Sequence, residues 1–187
     1  MAKIPARKQV SKKYTWNAES VFKTTKEWDA ALKAVIDDIP NVKKFEGKLS
    51  ESPESLLSGI KAIEDLSLRA QTVFMYAQFA YAVDTANQSS GALVGKAQGM
   101  FGQVFAAIAF LNPELLQIGW DQLDTWMKSN NQLEAYRQSF HDLFRQQAHV
   151  RSAEVEEILG MAADPFSGPS NSSSMLVNAD FKFVPAK

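Results

Sequence analysis

A regular spacing of apolar and small residues between Pro53 and about Val83 constrains this chain more than any other feature of its sequence. The spaced residues, each three or four positions after the last, are Leu56, Ile60, Ile63, Ser67, Ala70, Phe74, Ala77 and Tyr81. Such spacing places them on one face of an α-helix, which would be about 45 Å long at the usual rise per residue. Further apolar residues fall outside that face: Val73, Met75, Phe79 and Val83. The sequence therefore predicts a central helix that is covered on several sides.

Capping residues mark the ends of this helix and of the helix before it. Ser52 is suited to cap the central helix, and Pro53 fits its first position, where a missing N–H costs nothing. Thr24 or Thr25 is suited to cap the preceding helix, and Pro40 is predicted to end it. The sequence therefore predicts hairpin-like packing of helices around the central one.

The next predicted helix, from about Ser90 to Leu111, is unusually rich in glycine. One of its faces is apolar, with Leu93, Ala97, Met100, Val104, Ile108 and Leu111, and another is small, with Gly91, Gly95, Gly99, Gly102, Ala106 and Ala109. Each interior glycine costs about 1 kcal/mol relative to alanine. We therefore expect a neighbouring helix backbone to approach the small face closely and offset that cost.

The rest of the chain completes an all-α prediction. Further helices are expected over about 112–129 and 132–147, and a last one starts at Ser152 and ends near Gly160. The sequence predicts a bundle of about six helices around the long central helix, with a short extended C-terminal segment. No repeat of fixed period supports the alternative of a six-helix solenoid.

The bundle is predicted to occupy residues 14–164, between two segments of different composition. Residues 1–13 are polar and basic, as in a flexible arm, and 165–187 begin with the linker-like run PFSGPSNSSS. Residues 176–184 then alternate apolar and polar side chains, which is a strand pattern without a partner strand in the chain. We expect 165–187 to be a linker and the start of a further domain.

Composition excludes several classes of partner and chemistry. The 187 residues carry a net charge of −1, which gives no reason to expect nucleic acid or an anionic membrane as a partner. No cysteine is present, which excludes disulfides, thiol catalysis and cysteine–zinc sites. The basic start of the chain lacks the apolar run of a secretory signal, and the most hydrophobic window, 100–111, is too short to span a bilayer. A soluble, cytoplasmic protein is the default expectation.

Candidate catalytic and metal-binding residues are almost absent. His141 and His149, the only histidines, are eight positions apart, whereas metal-binding pairs on a helix are usually three or four apart. Glu154, Glu156 and Glu157 cluster at a predicted helix start, where the helix dipole and solvent account for them. Phe101 and Phe105 fall on helical faces typical of a core or an interface. From the residues alone, the prediction is a helical packing or partner-binding domain with no catalytic, cofactor-binding or metal site.

The order of several segments resembles the N-terminal region of oligoendopeptidase F, a family of thimet-like zinc metallopeptidases. The segments that carry the resemblance are KYTWNAESVFKTTKEWDAAL (13–32), GKLSESPESLL (47–57), YAVDT (81–85), AFLNPELL (109–116), LEAYRQSFHDLFRQQAHVRSAEVEEILG (133–160) and NADFKF (178–183). Their common order along most of the chain makes the match fairly specific.

The resemblance implies a soluble, cytoplasmic metalloendopeptidase that cleaves oligopeptides and holds zinc with a His-Glu-x-x-His helix and a downstream glutamate. It also implies that this helical region walls one side of a substrate channel. No His-Glu-x-x-His occurs here, so no zinc or catalytic residue carries over and the chain alone is predicted to be inactive. We expect a fragment whose partner is the catalytic domain of the same protein, with zinc in the full-length enzyme. Exposed apolar surface at the glycine-rich helix and at Phe181–Phe183 would favour self-association of the fragment. The alternative is a stand-alone helical interaction module without enzymatic activity.

Overall fold

The computed structural model of the chain describes residues 9–147, 152–177 and 181, and most of these residues are helical. Two short 3-10 helices, Lys12–Tyr14 and Ala18–Ser20, precede the α-helices. The α-helices are α1 (Thr25–Lys43), α2 (Pro53–Val83), α3 (Gln88–Ile108), α4 (Leu111–Ile118), α5 (Trp120–Ser129), α6 (Asn131–Glu134), α7 (Arg137–Arg145) and α8 (Ala153–Met175). Across the described ranges there is no strand. The prediction of an all-α bundle is therefore confirmed.

Helix α2 is the central helix that the sequence predicts, with the predicted bounds. Its start is capped by Ser52, whose hydroxyl oxygen accepts a hydrogen bond from the Ser55 amide at 3.0 Å. Its buried residues are Leu56, Gly59, Ile60, Ile63, Leu66, Ala70, Val73 and Ala77. Helices α1 and α3 both pack against it. From α1 the buried indole of Trp28 donates a hydrogen bond of 2.8 Å to the Val73 carbonyl, which fixes the two helices side by side.

One continuous core joins α1 to α7. Beyond α2 it includes Val35 and Val42 of α1, Met100 and Val104 of α3, and the side chains Leu115, Leu123, Met127, Leu133 and Phe140. The carboxylate of Glu114 on α4 bonds the loop between α1 and α2. It accepts hydrogen bonds from the amides of Gly47, at 2.6 Å, and Leu49, at 3.3 Å. The loop between α1 and α2 is thereby held against α4.

The prediction that Pro40 ends the first helix is wrong. Pro40 lies inside α1, which continues to Lys43. Proline removes one backbone hydrogen bond but does not prevent further turns when packing rewards them. Here the next turn buries Val42, which is 2% exposed, in the core.

Two predicted helices are each divided in two. The helix expected over 112–129 is broken at Gly119, whose φ of 85° lies in the left-handed region that favours glycine. The helix expected over 132–147 is broken between α6 and α7, at Ala135 and Tyr136. These breaks let α5, α6 and α7 turn back on one another around Leu123 and Leu133, which the apolar spacing alone does not reveal.

The predicted close approach of a helix backbone to the small face of α3 is found at Ala106, but not at the glycines. A Cβ atom on Gly95, Gly99 or Gly102 would meet no other atom within 4 Å. The apolar face of α3 makes the core contacts instead, and the glycine face is left open. The close contact between α3 and α8 is made by Gly160 of α8, where a Cβ would lie 3.6 Å from the backbone nitrogen of Ala106.

Helix α8 corrects the predicted linker. The sequence predicts a helix end near Gly160 and a linker from 165, but α8 runs without interruption to Met175, with Pro165 and Pro169 inside it. Ser152 is the N-cap residue, as predicted, although its side chain makes no capping hydrogen bond. Extensive packing of α8 along α3 outweighs the poor helix preference of proline, glycine and serine.

The predicted terminal segments lie largely outside the described residues. Residues 1–8 of the predicted arm, and 178–180 and 182–187 of the predicted extended segment, are not described. Leu176 and Val177 form a π-helical turn rather than a strand. Next to the arm, Trp16 packs on Phe79 with 5.0 Å between ring centroids, and Phe22 packs on Tyr76 at 5.2 Å. The chain before α1 is thereby attached to α2.

One stretch, Gln88–Ile118, is long and apolar enough by length and composition to cross a membrane. It is not one continuous helix, since it comprises α3 and α4 with a turn between them. Ala97, Met100 and Val104 within it are buried in the same core as α1 and α2. Only 28% of its apolar window is buried in the structure, so this stretch contributes one face to the core and leaves the rest uncovered by the described residues.

Candidate functional site

The histidines do not form a site among the described residues. His141 lies exposed on α7, where its ring meets the edge of Trp120 at 5.9 Å between centroids. His149 lies outside the described residues. Within the described ranges, no group of three or more His, Asp or Glu side chains is arranged to hold a metal ion. That this chain carries no catalytic or metal-binding residue stays a prediction.

The carboxylates that the sequence singles out lie on solvent-exposed faces. Glu154 is exposed, Glu157 lies 3.9 Å from the Lys43 ammonium of α1, and the side chain of Glu156 lies outside the described part. On α2, Asp65 pairs with Arg69 at 2.8 Å. The positions of Glu154 and Glu157 agree with the interpretation of their cluster as solvated.

Two arginines each form a charge cluster that links neighbouring helices. Arg137 bonds Asp124 at 2.7 Å and Glu134 at 2.6 Å, linking α5 to the α6–α7 corner. Hydrogen bonds from Lys128 and then Arg137 lower the pKa of Asp124. Arg69 joins α2 to Asp38 of α1, and hydrogen bonds from Asn41 and then Arg69 lower the pKa of Asp38. Each cluster keeps its carboxylates ionised and paired, which suits helix packing rather than proton transfer.

A groove runs between α2, α3 and the C-terminal half of α8. It consists of two pockets, of about 300 Å³ and 460 Å³, that share Gln98 of α3. The first lies beside Phe74, Phe101 and Ser167. The second continues past Asn171 towards the turn between α2 and α3. The segment that the sequence presents as a linker therefore forms one side of this groove.

The described residues that line the groove are uncharged. No Asp, Glu, Lys or Arg is among the described residues that line either pocket, although such residues make up 22% of the chain. The polar lining consists mainly of carboxamides: Gln71, Gln78, Asn87, Gln88, Gln98 and Asn171. Among these, Gln71, Gln78 and Gln98 make no side-chain hydrogen bond to another described residue. Each free carboxamide offers both donors and an acceptor to a ligand.

Three aromatic rings form the apolar wall of the smaller pocket. The centroids of Phe74 and Phe101 are 4.8 Å apart, and those of Phe101 and Phe105 are 5.1 Å apart. Phe105 is 48% exposed. This row gives the groove an apolar surface next to the free carboxamides.

The glycines of α3 keep the groove wide. Gly102 lines the first pocket, and Gly91 and Gly95 line the second. A Cβ on Gly95 or Gly102 would enter open space. Gly99 also faces open space but lines neither pocket.

A second exposed surface lies on α8 itself. Ile158, Leu159 and Met161 are each more than half exposed, and Phe166 is 76% exposed. Apolar side chains uncovered along one helix indicate an interaction surface. We call these residues the α8 apolar face.

The sequence analysis expects exposed apolar surface at the glycine-rich helix, but it predicts neither the groove nor the α8 apolar face. It treated Phe101 and Phe105 as core or interface residues and 165–174 as a linker, so nothing remained to form the opposite wall. The available signal was the glycine face of α3, which lies beside Gln98 and lacks the bulky apolar residues of a packing face.

Comparison with known proteins gives matches to oligopeptidases. A family model described as oligopeptidase F matches residues 114–183. Oligopeptidase PepF of Bacillus subtilis (strain 168) is 30% identical over 184 residues, which cover 98% of this chain and 28% of that protein. The oligoendopeptidase F homolog of Lactococcus lactis subsp. lactis (strain IL1403) is 29% identical over 182 residues, which cover 97% of this chain and 30% of that protein.

Two solved peptidase structures also match this chain. Oligoendopeptidase-F from Enterococcus faecium superposes with a TM-score of 0.78 and 28% identity, over 86% of this chain and 32% of that one. A peptidase structure from Chlamydophila abortus shares the fold, with a TM-score of 0.68 at 20% identity. The chain spans less than a third of the length of the first relatives it matches. Over nearly its whole length, the chain therefore matches the N-terminal part of oligoendopeptidase F proteins in sequence and in fold.

Proposed function

We propose that this chain is the N-terminal, non-catalytic region of a cytoplasmic zinc metalloendopeptidase that cleaves oligopeptides, and that it forms one wall of the channel through which substrates reach the active site. The observation that supports this proposal is the coverage of the match. Nearly the whole chain, 98%, aligns with 28% of an oligopeptidase. A region aligned in this way is expected to work together with the remaining part of such a protein.

In this proposal, residues outside this chain hold zinc and activate water. The reason is chemical, since the sequence contains no His-Glu-x-x-His motif. A zinc ion held in that way polarises the peptide carbonyl and lowers the pKa of its bound water. The contribution of α2, α3 and α8 is to position and select the peptide.

The α8 apolar face supports a neighbouring catalytic region as the partner of this chain. Ile158, Leu159 and Met161 lie uncovered on a helix whose other side packs on α3. Contact with the catalytic region would remove them from water. A chain kept apart from that region is expected to self-associate through the same residues.

The test is peptide cleavage by the native protein that carries these residues, captured from source cells with an antibody raised against this chain. We expect it to cleave a quenched fluorescent oligopeptide, to lose activity with a zinc chelator and to recover it with added zinc. The isolated 187-residue chain is the matched control and should cleave nothing. A captured protein without chelator-sensitive cleavage would contradict the proposal and favour the stand-alone interaction module.

A further inference from the structure

We infer that the groove between α2, α3 and α8 binds an uncharged, extended segment of the peptide substrate and accommodates one bulky apolar side chain. This inference rests on the proposed function and adds a place and a chemical preference to it. The occupant follows from the charge, polarity and shape of the groove.

The lack of charged side chains among the described lining residues disfavours ionised ligands. Placing a carboxylate or an ammonium in a partly enclosed site is unfavourable unless an opposite charge or a set of hydrogen bonds compensates it. None of the described residues lining the two pockets is Asp, Glu, Lys or Arg. Phosphorylated and strongly acidic or basic segments are therefore disfavoured.

The polar groups match a peptide backbone. Gln71, Gln78 and Gln98 have carboxamides that no described residue engages. Each carries donors and an acceptor, which are the two kinds of group that an extended main chain leaves unpaired. Gln98 contributes to both pockets, so it is placed to contact a ligand that runs from one to the other.

The apolar groups match a side chain of that peptide. The row of Phe74, Phe101 and Phe105 flanks a pocket of about 300 Å³. Binding pockets for small ligands begin at about this volume. An aromatic or large aliphatic side chain would cover the exposed ring of Phe105 while the main chain lies against the carboxamides.

The width of the groove depends on residues without a side chain. Gly95 and Gly102 line the pockets, and larger residues there would fill them from α3. The same change at Gly99 enters open space outside the pockets. The chain thus offers a matched control on the same helix.

The experiment compares Gly95→Leu, Gly102→Leu and Gly99→Leu in the native-length peptidase, with two quenched fluorescent peptides that differ only in a Phe or a Glu. We expect the parent to prefer the Phe peptide. Each groove variant should lower kcat/KM for that peptide by about tenfold, mainly through KM, because the filled pocket no longer accepts the side chain. Gly99→Leu should match the parent, and all three variants should keep the parent Tm or raise it.

Equal kcat/KM for all three variants would overturn the inference. So would a lower Tm of the groove variants with unchanged turnover by the folded protein, because another part of the polypeptide would then occupy the groove. The proposed function fails separately, if the unmodified protein cleaves no oligopeptide. In that case, NMR titration of this chain with an N-acetylated, C-amidated tetrapeptide containing Phe tests whether the groove binds a peptide. Shifts at the Gly95 and Gly102 amides support the groove, and their absence overturns it.

Discussion

Tyr136 and Glu64 form a contact between α2 and the α6–α7 corner that no spacing rule predicts. The Tyr136 hydroxyl donates a hydrogen bond of 2.7 Å to the Glu64 carboxylate. Burial, and then this bond and the charge of Glu64, raise the pKa of Tyr136 to about 12. The neutral phenol is therefore favoured in the folded protein.

This contact predicts a change of stability at alkaline pH. Because the folded pKa is raised, the contribution is fully present below pH of about 10, the ordinary tyrosine pKa, and is lost as pH rises through about 12. The absorbance titration of the parent minus that of Tyr136→Phe should have a midpoint near 12. Glu64→Gln should lower that midpoint. A difference midpoint near 10 in the parent would contradict the contact.

Two glycines of neighbouring helices should respond to alanine in opposite ways. At Gly59 a Cβ would lie 2.5 Å from Cδ2 of Leu49, a fully buried side chain, whereas at Gly99 it would meet nothing within 4 Å. Gly59→Ala should lower the free energy of unfolding by about 1–3 kcal/mol through overpacking. Gly99→Ala should raise it by about 0.5–1 kcal/mol through helix propensity. Urea denaturation measures both, and effects of the same sign would contradict the packing.

Helices were predictable from sequence where apolar periodicity and a cap agree. The bounds of α2 follow from Ser52, Pro53 and the spacing of its apolar residues, and the cap of α1 follows from Thr24, whose hydroxyl accepts from the Glu27 amide at 3.2 Å. These signals are local, so the sequence contains them in full.

The breaks between helices, the extensions of α1 and α8, and the groove beside α3 depend on tertiary packing. Pro40 and Pro169 are local signals to stop, yet α1 and α8 pass through them because the continued turns pack on other helices. The groove could not be predicted since it needs residues 167–175 in helical form beside α3. The sequence shows its glycines but predicts a packing role for them, where the structure leaves open space.

Helix α8 covers the segment for which the sequence predicts a linker and the structure shows a helix. Gly168 lies inside it, and a Cβ there would meet no atom within 4 Å. Gly168→Ala should therefore raise the free energy of unfolding by about 0.5–1 kcal/mol, and amides 166–175 should show helical NMR chemical shifts. Random-coil shifts together with an unchanged free energy of unfolding would mean that residues 166–175 form a linker and not a helix.

For the whole chain, the α8 apolar face predicts association when the chain is studied alone. Ile158 and Leu159 are each more than half exposed on neighbouring positions. Sedimentation velocity should show concentration-dependent association that Ile158→Lys and Leu159→Lys reduce. Leu68→Lys is the control, since Leu68 is 68% exposed and belongs to α2 rather than to α8. A monomer at all concentrations, or equal effects of the three variants, would contradict the role of this face.

We propose that these residues work as one region of a larger oligopeptidase. The most direct measurement is the mass of the native protein in a lysate of source cells, detected with an antibody against this chain. We predict a species several times larger than the 20.7 kDa of the chain, in line with relatives of which it covers 28–30%. A species of 20.7 kDa alone would contradict the account, and the search would turn to a separate binding partner.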